Sequence, residues 1–243
     1  MQLQRVGRRF GAMMAGLAML GAVGAAQAQT AGSNVISVGW LNITPHNKST
    51  PLTLTSINGS PVNIVQTGTG FKALEANTLY ITFAHFFTDH ISAELVGGIP
   101  TKLKFAGSGT LARAGTLGEA TPIAPTAFVR YHFFDAQATF RPYVGLGINH
   151  TQFIHGKVTN APGLLGPGAT GTVSASSSWN PAYVIGATYA VADHWAVALS
   201  ASYIPVKTTA QLNGTTGSGV HISSHATDKL DPVNLFLGVN YRF

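Results

Sequence analysis

The chain has 243 residues, 28 of them Gly and none Cys, and only 9% are Asp, Glu, Lys or Arg while 45% are hydrophobic. That is long enough for one or two domains. So few charges beside so much apolar surface argue against a disordered chain and speak against an ordinary cytoplasmic enzyme, and the missing Cys removes disulfides and thiolate metal sites. The formal charge of +6 is inflated by Arg5, Arg8 and Arg9; without them 11 basic residues face 8 acidic ones, a net of +3. A nucleic-acid partner is therefore not expected.

Those three arginines open a segment that runs apolar and small over residues 10–25 and closes with Ala26, Gln27 and Ala28. A basic start, a short apolar stretch and an A-x-A close describe a cleaved secretory signal, 1–28, followed by a single domain, 29–243. The stretch is short and Gly-rich for the alternative, a retained membrane helix.

Eight segments then alternate with a period of two, at about 34–43, 77–86, 91–99, 121–133, 140–152, 178–190, 195–205 and 232–243. Each comes near the roughly 9–11 residues that a tilted membrane-spanning strand requires, some running longer. In the fourth, Ile123, Ala127, Val129, Tyr131 and Phe133 oppose Thr126, Phe128, Arg130 and His132. In the fifth, Phe140, Val144, Leu146 and Ile148 oppose Arg141, Tyr143, Gly145, Gly147 and Asn149. The seventh has aromatics, Trp195 and Tyr203, at the two ends of a face that is aliphatic between them, as two interfacial belts would require. The last sets Leu235, Leu237, Val239, Tyr241 and Phe243 against Asn234, Phe236, Gly238, Asn240 and Arg242.

A soluble β-sandwich also alternates, but its second face meets water and carries Lys, Glu and Thr. Here the second face is rich in Gly, Ala and Ser, which suits a narrow closed interior. The connections add an independent signal. Those at 86–91, 134–139 and 190–195 are short, two with a matching Asp-His (Asp89-His90 and Asp193-His194) and one with Asp135. Those at about 44–76, 100–120, 153–177 and 206–231 are long and Gly/Ser/Thr/Pro-rich, and are read as outer loops. Strict alternation of short and long, with an even strand count, describes an antiparallel eight-stranded transmembrane β-barrel with both ends in the periplasm of a Gram-negative cell.

Glu94, Arg130, Arg141 and Arg242 fall on the inward face in this register. Charges in so small a lumen must be paired or hydrated, so they are expected to form an internal polar network that fills and stiffens it. Phe128 and Phe153, near inward or loop positions, are candidate pocket residues. His221 and His225 lie four apart, but no compact metal-ligand spacing occurs, and neither a metal nor any other cofactor is expected. No G-x-S-x-G elbow or other nucleophile motif suggests an enzyme.

Several stretches resemble the OmpW family of small outer-membrane barrels, across essentially the whole mature chain: TLYITFAHFFTD at 78–89, PYVGLGIN at 142–149, SW at 178–179 followed by VIGA at 184–187, and the terminal GVNYRF at 238–243. The resemblance implies a passive channel or carrier for small, mainly hydrophobic molecules, with a closed lower lumen and a sideways exit into the membrane. It makes Trp179, which matches the family tryptophan, a candidate pocket or gate residue, although alternation sets it on the outward face. Phe243 and Tyr241 resemble the terminal strand signal read by the barrel-assembly machinery. Outer-membrane lipid, lipopolysaccharide and small hydrophobic solutes are the other partners implied. The alternative is a structural or adhesive surface barrel that binds external ligands through its loops.

Overall fold

The computed structural model describes residues 29–243; the expected signal segment, 1–28, lies outside the described residues. Eight long strands form the wall: β1 (Asn34–Thr44), β2 (Ala76–Phe86), β3 (Ile91–Gly98), β4 (Thr126–His132), β5 (Phe140–Val158), β6 (Ser178–Ala190), β7 (Trp195–Tyr203) and β8 (Val233–Arg242). Each pairs antiparallel with its sequence neighbour, and β1 pairs with β8 from Val35↔Arg242 to Thr44↔Val233, which closes the ring. Except at the upper end between β3 and β4, closure leaves no open edge, so the backbone groups in the wall are hydrogen-bonded without help from solvent.

The pleat sorts the side chains. Leu235, Leu237, Val239 and Tyr241 of β8 point outward and are exposed, while Asn234, Phe236, Asn240 and Arg242 are buried inside. The same split runs through β5, with Leu146 and Ile148 outward and Arg141, Tyr143 and Asn149 inward. In a soluble protein so large an apolar exterior would drive aggregation; in a bilayer it is the lipid-contacting surface. Among the described residues no helix is long and apolar enough to cross a membrane.

The short turns explain their Asp-His pairs. His90 Nδ1 donates to the carbonyl of His132, and His194 Nδ1 donates to that of Arg242, both at 2.9 Å. In return, the backbone N–H groups of His132 and Arg242 donate to the carbonyls of His90 and His194. Each histidine thus carries the ladder one rung past its strand end.

Two features depart from the sequence reading. The segment expected as one strand at 121–133 is two, Thr116–Ile123 and β4, broken at Ala124 and Pro125. The long connections, expected as loops, are largely folded. Thr116–Ile123, Leu103–Gly109 and Thr69–Ala73 extend the sheet from the upper end of β5, which runs for 19 residues. Thr170–Ala175, Lys207–Thr215, His221–Lys229, Leu52–Ile57 and Ser60–Gln66 form a second, separate sheet, with Lys48–Ser49 alongside. A one-turn helix, α1 (Ala161–Leu165), is capped by Asn160, whose side chain accepts from the Gly163 N–H. Small inward residues such as Ser224 and Ala226 made these strands look like loop composition.

Candidate chambers and the family of the barrel

The middle of the lumen is filled by side chains. Glu94 on β3 and Arg130 on β4 form an ion pair, with Glu94 4% exposed. The Arg130 guanidinium also lies over the Tyr143 ring, 4.5 Å from its centroid, and beside Phe128 at 5.7 Å. Glycines make the room: a Cβ at Gly145 would come within 2.9 Å of the Arg130 side chain, and one at Gly186 within 2.6 Å of the Tyr143 ring. Tyr80 and Phe236 pack against each other at 5.8 Å.

The four expected lumen residues do face inward, but they do not form one network. Arg141 donates to the Gln29 side chain at 3.0 Å and to the carbonyl of Asp89, and Arg242 donates to the carbonyl of Asp193 at 2.7 Å. These two arginines tie the Asp-His turns to the wall at the periplasmic end, while Glu94 and Arg130 pair at mid-height. Nothing in the alternation distinguishes the two levels; the turn carbonyls as acceptors only become visible in three dimensions.

Two mainly apolar cavities bear on the wall above the filled level. The lower, of about 290 Å³, sits at the top of the barrel and is lined by Leu41, Tyr80, Leu103, Ile204, Val206 and Leu230 among others. The upper, of about 260 Å³, lies between the two outer sheets, walled by Phe71, Phe105 and Leu117 on one side and Val173, Ala210 and Leu212 on the other. Phe153, on β5 where its partner changes from β4 to Thr116–Ile123, lines both. It meets Phe105 edge to face, with ring centroids 6.4 Å apart. Just beyond, the β5 ladder shifts register between Ile154 and Lys157, and His155 takes a φ of 53°. Such a bulge bends a strand, and here the bent segment, with His155 and Gly156, forms part of the upper cavity wall.

The wall beside the lower cavity is interrupted. β3 pairs with β2 up to Gly98↔Tyr80, but with β4 only up to Val96↔Thr126. Beyond that rung Gly97, Gly98, Ile99 and Pro100 face Pro122, Ile123, Ala124 and Pro125 across the cavity mouth with no ladder between them. Prolines lack the N–H that a ladder needs, so Pro100, Pro122 and Pro125 tolerate an unpaired rim. Asn149, fully buried, anchors one side: it donates to Thr126 Oγ1 at 2.9 Å and accepts from Thr151 Oγ1 at 2.6 Å and from Asn180 at 3.1 Å.

Of the three expected pocket residues, Phe153 is in the cavity walls. Phe128 is buried below them, in the packed lumen. Trp179 is 69% exposed on the outer surface, where it packs on His150 at 4.6 Å, and lines neither cavity. Its place is in the outer aromatic belt, as alternation alone required. Phe105 and Tyr80 escaped notice because one lay in an expected loop and the other in an ordinary strand. His221 and His225 sit on opposite strands from Thr215 and Gln211, and among the described residues no cluster of three metal-ligating side chains forms.

A closed ring of eight antiparallel strands, an apolar exterior with aromatic ends and a packed lumen define a small Gram-negative outer-membrane barrel. Residues 30–243 match the OmpW family, and the chain belongs to it. It is 32% identical over 203 residues to Outer membrane protein W of Vibrio cholerae, covering 80% of this chain and 84% of that one. It is 28% identical over 166 residues to Outer membrane protein AlkL of Ectopseudomonas oleovorans, covering 68% and 66%. The crystal structure of OprG from Pseudomonas aeruginosa superposes with a TM-score of 0.77 at 26% identity, over 90% of this chain and 99% of that one.

Proposed function

We propose that this barrel is a passive carrier that moves small hydrophobic molecules from outside the cell into the outer membrane. A solute enters the upper chamber, passes Phe153 into the lower chamber, and leaves sideways between β3 and β4. The supporting observation is continuity: Phe153 belongs to both chambers, and the lower one reaches the unpaired rim at Gly97, Gly98, Pro122 and Pro125. The Glu94–Arg130–Tyr143 level closes the way down, so the lateral rim is the exit. Apolar molecules cross a hydrated polysaccharide surface poorly, and an apolar chamber above it offers them a place to partition. The concentration gradient supplies the driving force.

The test is uptake of naphthalene by cells with intact lipopolysaccharide that depend on this barrel. Replacing Gly97, Gly98 and Pro125 by Val should let the β3–β4 ladder extend. Uptake should then fall toward that of cells without the barrel, while the protein keeps its heat-modifiable folded mobility. Unchanged uptake by the folded variant would refute the lateral exit.

A second reading, a surface barrel that binds external ligands, draws support from the outer edge strand Ser60–Gln66. One of its edges is unpaired, and Ile64 and Val65 are half exposed, the kind of edge to which an extended partner segment can add. Phe243 and Tyr241, exposed and stacked 6.4 Å apart at the periplasmic end, are the residues we assign to recognition by the assembly machinery.

A further inference from the structure

The upper chamber carries a charge that its lining does not need. On the inner face of the second outer sheet the residues are small or aliphatic: Leu212, Ala210 and Ala226 lead down to Asp228, which is 6% exposed and borders the cavity. The lysines of this sheet end, Lys48, Lys207 and Lys229, are exposed. Among the described residues no cation forms an ion pair with Asp228. Opposite it on one side is Thr208, whose hydroxyl donates to the carbonyl of Ser176 at 2.7 Å; on the other is Ser49, beside the carboxyl, whose hydroxyl donates to the carbonyl of Thr50 at 2.9 Å. A carboxyl has room for several donors; the remaining wall is mainly hydrocarbon, with Glu119, His155 and Ser174 the other polar side chains along it, and Glu119 is already paired with Lys102 at 2.8 Å. Burial accordingly pushes the carboxyl above its ordinary range, only partly offset by Ser49.

We propose that the upper chamber is a binding site for small apolar molecules that carry one hydrogen-bond-donating group, such as phenols, with Asp228 as the anchor. This rests on the carrier reading above and narrows its substrate class. An all-hydrocarbon pocket separates a hydroxyl from a methyl poorly, whereas a buried acceptor left unbonded by the wrong ligand discriminates strongly. At about 260 Å³ the chamber suits a small ligand rather than a long chain.

The experiment is a ¹⁹F NMR titration of the full mature barrel in lipid nanodiscs with 4-fluorophenol and 4-fluorotoluene, which share a ring and differ in hydroxyl against methyl, with empty nanodiscs as the partition baseline. The native barrel should prefer the phenol by about tenfold, the size of one net hydrogen bond. Asp228→Leu should erase that preference, and the near-isosteric Asp228→Asn, which keeps an acceptor oxygen, should retain part of it. Equal binding of both probes by the native barrel, or a preference that survives in Asp228→Leu, overturns the anchor while leaving the carrier reading intact. Binding of neither probe above the baseline overturns the chamber itself, and with it the first step of the proposed route.

Discussion

Single charged residues set much of the behaviour of this barrel. Glu94 and Arg130 are paired in the lumen, where removing one partner strands the other without bulk water. Glu94→Gln should lower the stability of the refolded barrel by about 3–5 kcal/mol in urea titrations. Replacing both by apolar residues, Glu94→Leu with Arg130→Met, should recover most of that loss; if it does not, the pair is more than a filler. Asp228 gives a pH signature. Its carboxyl binds a proton more tightly in the fold than in the unfolded chain, so its stabilising effect is complete below the ordinary value of 3.8 and lost as pH rises through the raised value. Glu119 runs the other way: the Lys102 ammonium, 2.8 Å off, holds it below its ordinary range, so its contribution is present at neutral pH and lost in acid. The difference between the native chain and Asp228→Asn isolates the aspartate. Relative to that variant, proteolysis of the native outer sheets should speed up as pH increases from 4 to 7.

At the scale of elements, the wall was readable and the roof was not. Outward sets such as Leu235, Leu237 and Val239 alternate with inward ones because lipid and lumen demand opposite chemistry, so β8 and β6 are found nearly to the residue. The outer strands face a cavity on one side and water on the other. Their inner faces are mostly Ala, Ser and Thr, which is also what loops contain, with Leu212 and Asp228 the exceptions; Lys207–Thr215 and His221–Lys229 were hidden for that reason. The break at Pro125 was hidden by the alternation on either side of it. Phe153 was visible as an aromatic near a strand end, but its role depends on Phe105, which comes from a strand the pattern did not reveal. The lumen glycines make an element-scale prediction. Gly145 lies against the Arg130 side chain and the Val129 backbone. Gly145→Val should overpack that level and destabilise the barrel by about 1–3 kcal/mol, measured by the urea midpoint. Gly97, with open space around its Cβ position, should accept Ala without loss.

For the whole molecule, closure and assembly are separate problems. The β1–β8 seam ends on Phe243, whose backbone N–H and carbonyl exchange hydrogen bonds with Asn34 at 3.0 and 2.9 Å, while its side chain is exposed and stacks on Tyr241. Phe243→Ala, which keeps that rung, should therefore reduce the amount of barrel in the outer membrane of cells severalfold, while the same chain refolded in detergent keeps its unfolding free energy within about 0.5 kcal/mol, as for a surface change. Normal cellular levels would show that the end residue is not read during insertion.

The 19-residue length of β5 has a geometric consequence. At roughly 3.3 Å per residue the strand is about 60 Å long, and a tilt near 40° still leaves a vertical span of about 45 Å. The hydrocarbon slab takes up about 30 Å at most, and less in a thin outer leaflet pair. The surplus lifts the bulge at His155, and the hollow it helps enclose, to the height of the sugar chains that coat such cells. Under the carrier role proposed above, a greasy molecule meets the hollow within that layer and finishes its descent inside a sheath of protein.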